Sequence, residues 1–540
     1  MNCSFQNSRF NLPAAYLSLA LFCVAIALYN FSGTVAESIG RVMPIGFTVR
    51  SAGSFFPNFF DEYGYSYQLH NFSVVVFVVA ILGVIATTLQ GFFSFEFLRR
   101  YRSVWLVTVS LLVGAFYLWL ANPPYIWSAN SRMLWVQALG ERPRLCAAYT
   151  VLCGVNYLFY SFPVFAVALP MLVISLLFSL TLLRLGFSDC ISLGATVCLA
   201  LSSQLLIFGN VSEGVVVNIA VLLFASYAYV KRDWRLFAPS LLLVVLARTQ
   251  YLSVLGAFIA CEGVAFVLEE KRIFGFLRLF RDRFVLRSLG WFFVLFAVWY
   301  LLSSSWGINM FELLVEGGSS EFERYKALPI EGFTISPLSG AYLGHLLWSF
   351  PTVISLLAFL GVFFLFRMNV TELRLYLFVV IFSFGNILVH ELLPLYYYNI
   401  RYMTYYLPYL VIAALITSSV VVKGLHLKWI LQCLVLGSLL TPYTSGFETK
   451  RAQEKFALSV LYPYRNELRE WADGKLVFSN HHGMSSRNYL AYIFFTFERF
   501  RAFTEPEPTE DGIYVLKAKP QKACRRELDV GTLFICDFEE

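Results

Sequence analysis

Long apolar segments joined by short polar connections constrain the fold of this 540-residue chain more than any other feature. An α-helix needs about 20 predominantly apolar residues to cross the hydrocarbon core of a membrane, and roughly thirteen segments approach that length. They lie at about 12–31, 72–95, 103–121, 163–183, 190–208, 213–230, 236–248, 251–268, 289–305, 341–366, 375–393, 403–422 and 429–443. The sequence therefore predicts an α-helical polytopic membrane protein with about 13 transmembrane helices.

Composition supports this class, since 58% of the residues are hydrophobic and only 14% are charged, which is far from soluble globular usage. The first segment can be a signal anchor or a cleavable signal peptide, and its length favours an uncleaved span. The stretch 145–162 is also apolar, but it leaves no turn before the next segment. We interpret it as a re-entrant or interfacial helix, with an additional span as the alternative.

Basic residues are concentrated in alternate connections. The clusters are Arg99, Arg100 and Arg102; Lys231, Arg232 and Arg235; 271–287; Arg367 and Arg374; and Lys423 and Lys428. By the positive-inside rule these connections face the cytoplasm. Loops 32–71, 122–162 and 306–340 and the tail from 444 then face the outside. A net charge of +7 distributed in this way gives no reason to expect a nucleic-acid partner.

The tail, 444–540, changes composition, with frequent charges, short strand-like runs at 475–479, 513–516 and 532–536, and a helix-like run at 464–471. This pattern predicts a small C-terminal α/β extracytoplasmic domain following a transmembrane domain of residues 1–443. Cys524 and Cys536 are spaced for neighbouring strands joined by a turn, so we expect a disulfide in an oxidising compartment. The ten cysteines show no spacing typical of a metal site.

An acidic pair, Asp61 and Glu62, lies among aromatic residues in the first outward loop. Aromatic side chains prefer the membrane interface, where a partly desolvated carboxylate can act as a base near neutral pH. A solvated loop pair is the alternative. Neighbouring side chains of an extended segment point to opposite faces, so only one of the two is expected to take a proton.

Cationic and aromatic candidates lie at other outward positions. Arg248, in Leu-Ala-Arg-Thr-Gln, lies between two short apolar runs and is either paired at a cavity or snorkelling at a hairpin tip. His390 and Tyr398 precede Arg401, whose guanidinium among tyrosines suits a phosphate head group. The alternative for Arg401 is an aromatic belt with an interfacial arginine.

Three further residues are weaker candidates or indicate another function. Glu213, which a helix-start position explains adequately, and Arg132 are weaker site candidates. Glu262 is the obvious acid within an apolar segment, and such acids are typical of transporters.

These motifs together resemble the GT-C class of integral-membrane glycosyltransferases, which includes protein O-mannosyltransferases and the bacterial aminoarabinose transferase of lipid A. The resemblance lies in the first-loop acid pair, the Leu-Ala-Arg-Thr-Gln run, the Arg-Tyr-x-x-Tyr-Tyr-Leu-Pro-Tyr-Leu run from Arg401 and the outward tail. It implies that Asp61 is the catalytic acid residue of loop 32–71 and that Arg401 is the late-span arginine. The donor it implies is a sugar on a polyprenyl phosphate held by basic residues.

The first loop lacks the fuller acidic signature of oligosaccharyltransferases, so we expect no metal and no cofactor, although a divalent cation is not excluded. The expected partners are the polyprenyl-phosphate sugar donor, a lipid or glycan acceptor and membrane lipids. A transporter or flippase of lipid-linked saccharides, and a surface-polysaccharide polymerase or ligase, remain alternatives. A bacterial inner membrane is favoured over the endoplasmic reticulum.

Overall fold

A computed structural model describes most of the chain. The described residues are 12–42, 62–88, 96–121, 150–159, 164–208, 214–247, 252–305, 352–392, 404–422, 425–441, 457–479, 490, 493–494, 500–503 and 507–539.

Helices account for nearly all of the described residues before 442. The α-helices there are α1 (Leu12–Val42), α2 (Glu62–Thr88), α3 (Glu96–Arg100), α4 (Arg102–Leu120), α5 (Thr150–Leu158), α6 (Phe165–Arg184), α7 (Asp189–Ala200), α8 (Ser203–Phe208), α9 (Val215–Lys231), α10 (Trp234–Ala247), α11 (Ser253–Glu270), α12 (Arg283–Ser305), α13 (Thr352–Leu360), α14 (Val370–Leu392), α15 (Leu407–Val421) and α16 (Leu425–Ser438). Two 3₁₀ helices, Ile273–Phe280 and Gly361–Arg367, precede α12 and follow α13.

Length and apolar surface show that lipid surrounds these helices. Within the described residues, five helical stretches are long and apolar enough to cross a membrane: Ala15–Val35, Arg102–Leu120, Phe165–Arg184, Arg283–Ser305 and Val370–Leu388. Shorter apolar helices accompany them. Large apolar side chains such as Leu112, Phe293 and Leu301 are more than half exposed, which is costly in water and normal in lipid. The chain is a helical membrane protein.

Helix α15 lies at the centre of the bundle. Residues 407–418 are all buried, and it packs against α13, α14 and α16. A helix that is apolar on every side can face lipid or other helices, and here neighbouring helices cover it on every side. The core of the bundle therefore forms around the segment that follows Arg401.

Helices α1 and α2 form an antiparallel pair. The ring of Tyr29 contacts that of His70, and the ring of Phe22 contacts that of Phe77. The pair joins the rest of the bundle through α16, where Val75 packs directly on Gly437. Glycine at such a contact allows two helix backbones to approach closely.

The described helices change two boundaries predicted from the sequence, those of the loop 32–71 and of the segment 190–208. Residues 32–42 and 62–71 are helical, so the loop predicted at 32–71 is too long at both ends. A helix of 31 residues is about 46 Å long and exceeds a hydrocarbon core of about 30 Å, because helical hydrogen bonding continues into the polar region. The segment 190–208 is interrupted between α7 and α8. In the stretch 145–162 the structure describes a helix at Thr150–Leu158, and the residues on either side of 150–159 lie outside the described residues, so the interfacial or re-entrant interpretation stays a prediction.

The tail contains a mixed five-stranded sheet in the order β2-β1-β3-β5-β4 among the described residues. Its strands are β1 (Val477–Ser479), β2 (Phe500–Ala502), β3 (Gly512–Leu516), β4 (Arg526–Asp529) and β5 (Phe534–Phe538). A 3₁₀ helix, Ala457–Tyr464, and α17 (Arg465–Trp471) precede the sheet. Strand β1 pairs in parallel with β2 and β3, whereas β5 pairs in antiparallel with β3 and β4.

Three strand predictions and one helix prediction in the tail are confirmed by β1, β3, β5 and α17. Every residue of β1, β3 and β5 is buried, and strands covered on both faces appear in sequence as continuous apolar runs. The disulfide Cys524–Cys536, with Cα atoms 5.4 Å apart, is also present as predicted.

Candidate functional site

Contacts between helices show which helix ends lie together. Helix α11 runs antiparallel to α14, since Ser253 Oγ donates to Asn386 Oδ1 at 3.0 Å and Cys261 Sγ donates to the Arg374 carbonyl oxygen at 3.4 Å. Helix α15 also runs antiparallel to α14. The ring of Tyr406, at the start of α15, lies 5.8 Å from that of Phe382, whereas Thr417, near the end of α15, and Tyr376, near the start of α14, both lie against Gly361. The end of α14 therefore lies beside the starts of α11 and α15.

Contacts also give the relative directions of two further helix pairs. Helices α4 and α7 are parallel, since Arg102 is paired with Asp189 at their starts and Tyr117 donates to the Ala200 carbonyl at their ends. Helix α2 is antiparallel to α16, because Gly83 packs on Ile430 and Val75 packs on Gly437. The start of α2 thus lies beside the end of α16.

Two ends of the bundle follow from these directions. We call the first the basic end, and its charged residues include Arg102, Arg232, Arg278, Arg367, Arg374 and Lys428. The starts of α7, α14 and α16 and the end of α15 line one cavity, and Arg232, two residues before α10, pairs with Glu262 near the end of α11, so all of these lie at the basic end. The opposite end is therefore formed by the end of α1, the start of α2, the end of α10, the start of α11, the end of α14 and the start of α15. The basic clusters of alternate connections thus share one end, as the positive-inside rule requires.

The predicted site residues fall largely outside the described residues. Asp61, Arg132, Glu213, Arg248, Tyr398 and Arg401 lie there. The backbones of Glu62 and His390 are described, in the first turn of α2 and the last turn of α14, but their side chains are not.

Connectivity nevertheless relates these residues to the described helix ends. Asp61 directly precedes α2, and Arg248 directly follows α10. Arg401 belongs to the connection from α14 to α15, and Glu213 to the connection from α8 to α9. Each of these connections joins described helices at the opposite end, and the candidate residues themselves lie outside the described residues.

One premise about the acidic pair needs correction. Glu62 is the first residue of α2 and so does not belong to an extended segment. Carboxylates are favourable in the first turn of a helix because unpaired N–H groups and the helix dipole stabilise negative charge there. Strand-like alternation therefore does not decide between Asp61 and Glu62.

The tyrosines that follow Arg401 have a structural role. Tyr405, Tyr406 and Tyr409 are buried. The Tyr409 hydroxyl donates to the Leu222 carbonyl oxygen at 2.6 Å and accepts from Ser226 Oγ at 2.9 Å. This part of the motif joins α15 to α9, so it belongs to the packing of the bundle.

A buried ion network lies near the basic end, centred on Glu262 of α11. The Glu262 side chain has no exposed surface. Its Oε1 accepts from the Arg232 guanidinium and from the Tyr229 hydroxyl. Its Oε2 lies 3.8 Å from Arg374 Nε, and Arg374 Nη2 lies 2.9 Å from Glu269 Oε1. The network therefore joins α9, α11 and α14 by charge.

The backbone of Arg232 explains how its side chain reaches the network. Arg232 ends α9 with φ 54°. This left-handed conformation commonly terminates helices and is usually adopted by glycine. Its guanidinium lies 3.9 Å above the ring of Phe284 and 3.5 Å from Asp282 Oδ1. A cation at a helix C-terminus is also favourable to the helix dipole.

This network changes the interpretation of Glu262. A transport site needs an ionisable group that can exchange partners in an accessible cavity. The Glu262 carboxylate is instead enclosed, with Oε1 hydrogen-bonded to Arg232 and Tyr229 and Oε2 3.8 Å from Arg374 Nε. This arrangement indicates a structural role, in which Glu262 holds neighbouring helices together.

A second ion pair at the basic end has no counterpart in the sequence-based predictions. Arg102 Nε and Nη2 donate to both carboxylate oxygens of Asp189, at 2.6 and 2.7 Å. Ser188 caps the same helix, because its Oγ accepts from the Ile191 N–H at 3.3 Å. The pattern Ser-Asp at the start of an apolar segment is an N-cap signal and indicates where α7 begins, although it does not reveal the arginine partner.

Two cavities also lie at the basic end. One of about 1030 Å³ lies between the α6–α7 connection, the starts of α14 and α16 and the end of α15, and its charged lining residues are Arg367, Glu372 and Lys428. The other, of about 730 Å³, lies beside the 3₁₀ helix Ile273–Phe280. Both lie at the end of the bundle away from the starts of α2 and α15.

Neither metal-binding groups nor comparisons with known proteins identify a further functional site. Among the described residues, no three His, Cys, Asp or Glu side chains are grouped to hold a metal ion. Comparison with protein-family models, with curated proteins and with solved structures finds no match to this chain.

Proposed function

We propose that this protein is a GT-C-type integral-membrane glycosyltransferase that moves a sugar from a polyprenyl-phosphate donor to a lipid or glycan acceptor. One observation carries the proposal beyond the sequence resemblance. The connections that contain Asp61, Glu213, Arg248 and Arg401 all join described helices at the opposite end. A cleft at that end would bring an acid and two arginines to the same membrane surface.

The disulfide supports an outward location for that end. Cys524 and Cys536 are bonded, and disulfides persist in oxidising compartments. The tail follows α16, whose last turns lie beside the first half of α2. Disulfide chemistry and the basic clusters therefore independently favour the same orientation, with the basic end in the cytoplasm.

The proposed topology has about 13 transmembrane helices, an inside N-terminus and an outward α/β domain of residues 444–540. A lipid-linked donor keeps its tail in the bilayer and its head group at the surface, which suits an apolar groove with a cationic clamp. A bacterial inner membrane is the proposed location.

In the proposed mechanism Asp61 is the general base. It takes the proton of the acceptor as that group attacks the anomeric carbon, and the lipid phosphate leaves with inversion. Arg401 and Arg248 hold the phosphate and stabilise its negative charge as it departs. Glu62 is an accessory acid, and binding both substrates in one cleft supplies catalysis by proximity.

The test uses membranes containing the full chain and a panel of radiolabelled polyprenyl-phosphate sugars. With a donor that supports transfer, Asp61→Asn should lower kcat by about 10²–10⁴-fold, because the amide keeps the shape but cannot accept the proton. Glu62→Gln should have a milder effect. The matched control is Glu527→Gln, the same kind of change at an exposed ion pair of the tail.

The outcome that would count against the proposal is activity that both acidic variants retain. Loss in Glu62→Gln with near-normal Asp61→Asn would exchange their roles. Arg401→Ala should raise the donor KM by about ten- to a hundredfold, since a charge-assisted phosphate contact contributes about 1.5–3 kcal/mol. Arg401→Lys should recover only part of this affinity, because an ammonium lacks the bidentate fork.

A further inference from the structure

The segment 271–283 at the basic end exposes apolar and basic side chains together. Within its 3₁₀ helix, Ile273, Phe274 and Phe280 are 78%, 74% and 70% exposed. The buried residue of this 3₁₀ helix is Gly275, which lies against the backbone of α11 at Phe266. The helix thus rests on α11 through one side and presents aromatic and aliphatic groups on the other.

Most cations of this segment have no acidic partner among the described residues. No described carboxylate lies within 4.0 Å of the charged groups of Lys271, Arg272, Arg281 or Arg283. Arg278, by contrast, lies 3.8 Å from Glu269 and 3.7 Å from Glu270.

The acid nearest in sequence to these arginines is already engaged. Asp282 Oδ1 accepts from the N–H groups of Phe284 and Val285 at 3.0 Å each, which caps α12, and it lies 3.5 Å from Arg232. The segment therefore carries an excess of positive charge that its own described carboxylates do not balance.

The cavity of about 730 Å³ beside the 3₁₀ helix combines these two properties. Its lining includes Arg278, Arg281 and Arg283 together with Phe274 and Leu277. The carboxylates of Glu270 and Asp282 also line it, but Glu270 lies 3.7 Å from Arg278 and Asp282 caps α12, so Arg281 and Arg283 supply the excess of positive charge. Guanidinium groups bind phosphate oxygens in a bidentate way, and the apolar side chains suit acyl chains. Few soluble anions would make use of both.

We propose that this cavity binds an anionic phospholipid of the leaflet at the basic end. Arg281 and Arg283 hold the head-group phosphate, and the acyl chains lie along Phe274 and Leu277. The adjacent helix α12 has exposed apolar residues, including Phe293, so the site opens towards lipid.

Occupancy of the site would stabilise the buried ion network. The lipid joins the 3₁₀ helix to the start of α12, where Asp282 contacts Arg232, and Arg232 binds Glu262. A ligand that binds only the folded state raises the thermal midpoint in proportion to the logarithm of its concentration over Kd. The proposal does not depend on glycosyl transfer.

The experiment uses the full chain in nanodiscs of phosphatidylcholine with and without phosphatidylglycerol, with retained lipid counted by native mass spectrometry. Wild-type protein should retain phosphatidylglycerol and show a higher Tm in its presence. Arg281→Gln/Arg283→Gln should weaken phosphatidylglycerol retention by roughly tenfold or more, because two charge-assisted contacts are lost. Its Tm in phosphatidylcholine alone should match wild type, since both side chains are exposed.

The matched control is Arg99→Gln/Arg100→Gln, which removes two exposed cations from the basic end away from the cavity. It should retain phosphatidylglycerol within about twofold of wild type. If both double variants lost phosphatidylglycerol to the same extent, the retention would result from general attraction to a positive surface, and the proposal would be overturned. Wild-type protein without a phosphatidylglycerol preference would overturn it as well and would favour a protein partner.

A second variant keeps the test decisive if the arginine pair is needed for folding. Phe274→Gln/Leu277→Gln preserves every charge and removes the apolar contacts of the cavity. It should also lower phosphatidylglycerol retention relative to wild type. Unchanged retention in this variant would contradict the placement of the acyl chains.

Discussion

Replacing Glu262 by glutamine tests whether the buried ion network holds three helices together. The side chain has no exposed surface, while those of Arg232 and Arg374 are 28% and 14% exposed. Removing one partner of a buried ion pair typically costs about 3–5 kcal/mol, because the remaining charge is left uncompensated. With the neutral amide, the two partly buried guanidinium groups would lose the negative charge that compensates them.

Remaining contacts reduce the expected loss. Arg232 keeps Asp282 at 3.5 Å and the face of Phe284 at 3.9 Å, and Arg374 keeps Glu269 at 2.9 Å. Their partial exposure also allows some hydration. We therefore expect Glu262→Gln to lower the free energy of unfolding by about 2–3 kcal/mol.

The assay is equilibrium unfolding of the detergent-solubilised protein, monitored by the loss of tertiary structure. Glu527→Gln is the control, because its pair with Lys519 is about half exposed on both sides and should change stability by about 0.2–1 kcal/mol. Glu262→Leu combined with Arg232→Leu should cost at least about 1 kcal/mol less than the sum of the single changes, since the two groups interact directly. A Glu262→Gln protein within about 0.5 kcal/mol of wild type would refute the reasoning.

Three further changes have defined expectations. Tyr409→Phe should lower stability by about 1–1.5 kcal/mol through its lost hydrogen bonds to α9, with donor KM unchanged, and a raised KM would instead assign the hydroxyl to the substrate. Gly437→Val should weaken the packing of α16 on α2 and lower stability by about 1–3 kcal/mol, whereas Gly290→Ala, whose added carbon meets open space, should be neutral or slightly stabilising in the same unfolding assay. Cys524→Ser should lower the stability of the tail by about 3 kcal/mol, and in the unmodified protein a thiol reagent should label neither Cys524 nor Cys536 until a reductant is added.

The sequence by itself determined the helical membrane character and the principal strands of the tail. Both are local consequences of patterning. A run of about 20 apolar residues requires helical hydrogen bonding in lipid, and a short apolar run such as 512–516 requires cover on both faces of a sheet. The Cys524–Cys536 disulfide was predicted because twelve residues of separation fit adjacent strands joined by a turn; Cys536 does lie in β5, while Cys524 lies two residues before β4.

Other boundaries depend on more than apolar length. The sequence pattern ends α1 near residue 31, whereas the helix continues to Val42, because backbone hydrogen bonding does not stop where apolar residues stop. The same pattern favours a re-entrant or interfacial helix over a span for the stretch 145–162, and this stays a prediction because only residues 150–159 of that stretch are described.

Only the tertiary structure decided the partners of buried charges. Glu262 stood out as an acid within an apolar segment, yet its cations come from the C-terminus of α9, 30 residues earlier, and from the first turns of α14. Helix α15 is apolar on every side, so its pattern contains no direction that would indicate its central position. Such pairings depend on how whole helices pack against one another, and the local sequence around each residue does not encode that arrangement.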